Sequence, residues 1–149
     1  MLKQMLRIFF LISLFAAGHA IAQLPAPKTL GGLTYLSGGI GDGEEKAIRG
    51  QADQYSALLE LSAVEASNLH GQWVADAAVT IKSGNAVLAR LEGQGPLLLL
   101  RLKPAQYTVE ATRHGDTKVV RFNVKSGGKL VQERFVWVEP PGTLRSLPK

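Results

Sequence analysis

The sequence predicts a mainly β protein: an antiparallel β-sandwich of about seven strands preceded by one short helix. Three observations carry this expectation. From Tyr55 onward apolar residues recur with a period of two, the mark of half-buried strands. Turn residues interrupt these runs at intervals of about 10 residues, as in sandwiches. One stretch only, near residue 43, has helical spacing, which is too little for an alternating α/β fold.

The 149 residues open with three regions in the order of a secretory leader. Lys3 and Arg7 are the positive end, Ile8 to Ala17 the apolar run, and Ala20-Ile21-Ala22 a small-x-small cleavage site. The expectation is a signal peptide over 1–22, a mature chain starting at Gln23, and a periplasmic or secreted location. The apolar run spans about half of the ~20 residues a membrane-crossing helix needs, and no second such run follows. Cysteine is absent, which removes lipid attachment at a cleavage-site cysteine, disulfides and thiolate metal sites. Without Lys3 and Arg7, the 17 basic residues fall to 15 against 12 acidic ones. An excess that small, spread along the chain, argues against a nucleic-acid partner.

Residues 23–41 read as an extended lead-in, 42–140 as the sandwich with its helix, and 141–149 as a C-terminal tail. Asp42 with Glu45 three positions on resembles an N-cap and its reciprocal partner, predicting a helix over 43–54 with Ile48, Ala52 and Tyr55 on one buried stripe. In YSALLELSA, Ala57, Leu59, Leu61 and Ala63 face one way and Glu60 and Ser62 the other. AAVTIKS and AVLARL, joined by Ser83-Gly84-Asn85, predict a hairpin with Val79 and Ile81 inward. The leucines of LLLLRL fit a strand covered on both sides or an edge packed by the helix, with the inward face unassigned. YTVEATR and TKVVRFNV meet at an Arg113-His114-Gly115-Asp116 tip, with Tyr107 and Val109 inward. LVQERFVWV places Val131, Phe135 and Trp137 on one side, Glu133 among them.

Few residues suggest chemistry. Gly38-Gly39-Ile40-Gly41-Asp42-Gly43 fits neither the dinucleotide nor the phosphate-loop spacing, so it reads as a turn feeding the helix, with a ligand held by its backbone amides as the alternative. The two histidines beyond the leader, His70 and His114, sit in apparent loops and make no metal site. No metal, cofactor or catalytic residue is therefore assigned. Carboxylate pairs such as Glu60 with Glu110, or Glu92 with Glu133, keep open a small periplasmic hydrolase acting on glycans. The basic string Arg113, Lys118, Arg121, Lys125, Lys129 and Arg134 reads first as a solvated face, and otherwise as a surface for an anionic polymer or lipid. Trp73 and Trp137 read as core, with stacking on a sugar as the alternative for both.

Val79-Thr80-Ile81, followed after a turn by Leu102-Lys103-Pro104-Ala105-Gln106-Tyr107-Thr108-Val109, resembles the carboxypeptidase regulatory-like, or transthyretin-like, domains. The resemblance covers about half of the mature chain; Pro104-Ala105 departs from the Pro-Gly such domains commonly carry. With the GGIGDGEE stretch ahead of it, the whole chain is similar to exported proteobacterial proteins that carry this domain. The resemblance implies a prealbumin- or Ig-like sandwich with a non-catalytic role in adhesion, carbohydrate contact or support of a neighbouring domain. It implies no active site: the related ring-opening hydrolases end in Tyr-Arg-Gly-Ser, where this chain ends TLRSLPK. The expected function is a non-catalytic binding or structural module of the bacterial envelope, whose partner is a protein or an envelope polymer.

Overall fold

The computed structural model describes residues 24–67 and 71–144. The expected leader over 1–22, His70 and the end of the tail lie outside the described residues. The strands are β1 (Lys28–Leu30), β2 (Leu33–Gly38), β3 (Ala57–Glu65), β4 (Gly71–Trp73), β5 (Ala77–Ser83), β6 (Ala86–Gln94), β7 (Leu97–Arg101), β8 (Ala105–Arg113), β9 (Asp116–Val124) and β10 (Val131–Glu139). Between β2 and β3 lie α1 (Glu44–Arg49) and one 3-10 turn over Ala52–Gln54. One sheet has the order β1-β2-β7-β3-β10, with β4 also paired to β3; the other has the order β6-β5-β8-β9. The mainly β sandwich is thus the observed class, with one short helix and ten strands among the described residues instead of about seven strands.

The extra strands come largely from the residues read as a lead-in. β1 and β2 form a tight hairpin around Gly31-Gly32, and Leu33, Tyr35 and Leu36 on β2 are buried. Leu33 and Tyr35 enter the core between the sheets, whereas Leu36 packs under the helix. A strand buried on both faces has no polar side to alternate with, so the period of two is lost. β7 is the same case: Leu98 and Leu100 join the core between the sheets, and Leu97 and Leu99 join the cluster under the helix with Ile48, Tyr55 and Leu58.

Where one face only is buried, the alternation holds, and it holds along β3 although Leu58 and Glu60 on its other side are buried too. Ala57, Leu59, Leu61, Ala63, Val79, Ile81, Tyr107, Val109, Phe135 and Trp137 all line the core between the sheets. One pairing departs from the antiparallel expectation. β10 runs parallel to β3, Val131 opposite Ala57 through Glu139 opposite Glu65, because the chain leaves β9 in one sheet and crosses to the edge of the other.

The helix is shorter than expected and is capped differently. α1 holds six residues and stops at Gly50, and its N-cap is Gly43 with φ 75°, without a side-chain cap. Neither Asp42 nor Glu45 forms the reciprocal cap. Glu44 instead turns back over the preceding loop, its Oε2 accepting from the amides of Gly39, Ile40 and Gly41 at 2.9, 3.0 and 3.0 Å. The buried stripe survives, with Ile48 fully buried, Tyr55 nearly so and Ala52 packed beside them.

Two local ties set the ends of the sandwich. Tyr107 donates its hydroxyl to the Lys103 carbonyl at 2.8 Å, clamping the Lys103-Pro104 turn in the manner of a tyrosine corner. Gly95 lies so close to β2 that a Cβ there would sit 2.9 Å from the Gly38 Cα, and its amide donates to Ser37 Oγ at 3.0 Å. Among the described residues no helix is long and apolar enough to cross a membrane.

Candidate functional site

On the outer face of the six-stranded sheet, the cluster under α1 covers β2, β7 and the start of β3. Further along β3 the cover ends. Strand register lays out two rows there, Val136 beside Ser62 beside Trp73, then Val138 beside Val64 beside Gly71. By alternation these residues face away from Leu59, Leu61 and Ala63, hence away from the core. Trp73 is 43% exposed and Val138 66%. Beside Trp73 runs a groove of about 360 Å³, lined also by Ser62, Val64, Gln72, Arg134 and Val136.

The border between groove and helix is ionic. Glu60, 6% exposed, accepts from Arg49 Nη1 at 2.7 Å and from Arg134 Nε at 2.9 Å, with Arg134 Nη2 at 2.8 Å from the same carboxylate oxygen. Arg49 also donates from Nε to Glu45 at 2.9 Å. Burial pushes the Glu60 carboxyl up, but the two guanidiniums outweigh it and hold the group below the usual carboxylate range. Glu60 is therefore ionised at neutral pH and unsuited to giving a proton. It fixes the Arg134 side chain, which is itself 66% exposed, against the groove wall.

Of the residues singled out in the sequence, Trp73 and Arg134 are brought together here and the others are not. Arg113, 10% exposed, is closed between Asp76, at 2.8 Å, and Glu139. Lys118 pairs with Asp116 at 3.0 Å. Arg121 lies exposed on the four-stranded sheet, and Lys125 and Lys129 flank the turn between β9 and β10. The basic string is thus dispersed, because β8, β9 and β10 divide between two sheets. The core reading holds for Trp137, 2% exposed with its indole N–H on the Asp116 carbonyl at 3.1 Å, and fails for Trp73. Trp73 stands on a three-residue strand at the end of the sheet, where among the described residues no helix or strand packs over it.

Sequence reasoning missed Val64, Val136 and Arg49 as parts of this region. The apolar run Phe135-Val136-Trp137-Val138 was the available signal: four such residues in a row imply a strand with both faces apolar. The glycine loop also differs from its reading as a mere turn. Its amides are aimed at an anion, and that anion is the protein's own Glu44, whose carboxyl is held below its usual range chiefly by the Gly41 amide, with burial opposing.

The suggested carboxylate pairs do not converge. Glu60 lies on the outer face of one sheet and Glu110, ion-paired with Lys82, on the outer face of the other. Glu92 points outward from β6, while Glu133 lies in the inward-facing series of β10. A small hollow is lined by Glu60, Gln132, Glu133 and Arg134, and the Glu60 carboxylate is already held by Arg49 and Arg134. His114, at the hairpin tip with φ 48°, meets not Asp116 but Asp76, with Nε2 3.2 Å from Oδ2. Among the described residues no group of three or more histidine and carboxylate side chains is placed to hold a metal ion.

No protein-family model matches the chain, and no curated protein matches it either. Among solved structures it is similar to Klebsiella pneumoniae 5-hydroxyisourate hydrolase, at 13% identity and a TM-score of 0.34, over 58% of this chain and 91% of that one. A likeness at that level carries no chemistry from one chain to the other; the sandwich rests on the strand order of this chain, and its candidate site on the groove beside Trp73.

Proposed function

We propose that this chain is a non-catalytic binding module of the bacterial envelope, exported by its first 22 residues, that works through the outer face of its six-stranded sheet. Trp73 and Arg134 are the contact residues, and the partner is a protein or an envelope polymer. One observation carries the reading: a large flat side chain is held 43% exposed beside a groove, at the end of a sheet face that the helix leaves uncovered. A tryptophan on a strand has little rotamer freedom to lose, so covering it returns most of its apolar area as binding energy. Glu60 supports the absence of catalysis in this region, since both its oxygens are held by guanidiniums.

A photo-crosslinking residue placed at Val138 in intact cells should trap a partner, whereas one placed at Leu30, which is also exposed, should not. Trp73→Ala should abolish the crosslink without altering the melt. Turnover of peptidoglycan fragments, glycosides or esters that is lost on changing Glu60 or Glu110 would overturn the module reading. Recovery of the chain from the cytoplasm with Met1 intact would overturn its placement.

A further inference from the structure

We infer a second contact face, on the opposite sheet, that takes an acidic polysaccharide. It goes beyond the Trp73 groove and shares no residue with it. On the outer side of the four-stranded sheet, register places Arg90, Thr80, Glu110 and Val119 in one row across the strands. The next row holds Val87, Lys82, Thr108 and Arg121. Three cations thus share a face with two carboxylates: Glu110, which is paired with Lys82, and Glu92, which points outward two positions along β6 from Arg90. Among the described residues Arg90 and Arg121 have no ion-pair partner, and both are exposed around a hollow of about 380 Å³.

Spacing selects a polymer over a small anion. Arg90 is on β6 and Arg121 on β9, three strand separations apart, or ~14 Å between their backbones, a span that anions spaced along a polymer match. Each planar guanidinium fork can then receive its own anionic group. The surroundings select a saccharide. Thr80, Thr108, Thr112 and Thr117 supply hydroxyls to the same face. Among the described residues no aromatic side chain stands there for nucleobases to stack on. Its exposed apolar residues are Val87 and Val119, isolated on the two edge strands and too small an area to enter a lipid surface.

The test uses polygalacturonate as the probe, with dextran, polyphosphate and anionic phospholipid vesicles as the other arms. Binding to the purified chain beginning at Gln23, followed by calorimetry at two salt concentrations, should be saturable for polygalacturonate and weaken with salt. The double variant Arg90→Gln, Arg121→Gln should raise the apparent Kd by about tenfold or more. Lys125→Gln, Lys129→Gln removes the same charge elsewhere and should change it by less than about twofold. Thermal melts superimposable on that of the parent show that each variant is folded. An equal effect of the two double variants would reduce the binding to net charge and overturn the inference. So would an unaltered Kd in the arginine variant, or a preference for vesicles or polyphosphate. Trp73→Ala should leave this binding intact, so that failure here and failure of the groove reading are separable.

Discussion

Replacing Glu44 with alanine should cost about 1–2 kcal/mol of stability at pH 7, an effect traceable to one oxygen atom. Glu44 Oε2 receives three amides at 2.9–3.0 Å. A hydrogen bond to a charged group is worth ~1.5–3 kcal/mol when buried, but Ile40 and Gly41 are exposed and water replaces most of what is lost, leaving about one bond's worth. A carboxylate in the first turn of a helix adds ~0.3–1 kcal/mol through the dipole. The pH dependence follows from the direction of the shift. The folded pKa of Glu44 is lowered, so its stabilisation is present in full above the unfolded value of ~4.3 and is lost as pH falls through the folded value. Urea unfolding of wild type and Glu44→Ala at pH 7 and pH 3 should therefore show a gap at pH 7 that narrows at pH 3. An unchanged midpoint at pH 7, or an equal gap at both pH values, would refute the account of the loop.

Ile81→Ala should lose ~2–5 kcal/mol and Lys82→Ala less than ~1, since Ile81 is fully buried between the sheets while Lys82 carries a part-exposed ion pair; equal losses in denaturant melts would mean the strand phase is wrong. Gly95→Ala should destabilise by more than ~2 kcal/mol, because the new Cβ meets Gly38 backbone atoms at 2.9 Å and no flexible side chain can yield; a melt within experimental error of wild type would contradict that contact. Tyr107→Phe should cost ~1 kcal/mol by leaving the Lys103 carbonyl without its donor, readable as a fall in thermal midpoint. Glu60→Leu should lower stability by ~1–3 kcal/mol at pH 7. Burial raises the Glu60 pKa but the arginines lower it further, so the difference should vanish as pH falls through the depressed folded value, and a pH-independent gap would refute the clamp.

How much of this was legible in the sequence depended on the number of covered faces. Val79, Ile81, Tyr107 and Val109 could be placed inward because each alternates with residues that face solvent. β7 could not be phased, and β2 was not seen at all, because a second core under α1 buries their other faces. The position of Trp73 was illegible for the converse reason: its exposure depends on where the helical cover ends, which is a property of Gly50 and the 3-10 turn rather than of β4. The basic string looked continuous because β8, β9 and β10 are consecutive in sequence, and it dissolved once β10 joined the other sheet. Arg90 and Lys82 were overlooked because a face assembled across four strands leaves no local signature.

The parallel seat of β10 beside β3 bears on when the molecule can fold at all. Arg134 reaches back 74 positions to Glu60, and Phe135 and Trp137, which fill the core opposite β9, arrive with the same strand. A growing chain has all of β3 early but must leave one of its edges open until almost the last strand emerges. Topologies that depend on such distant pairing fold slowly. A chain cut before Val131 should therefore behave as an open, protease-sensitive polypeptide, and a growing chain would remain extensible until β10 had emerged.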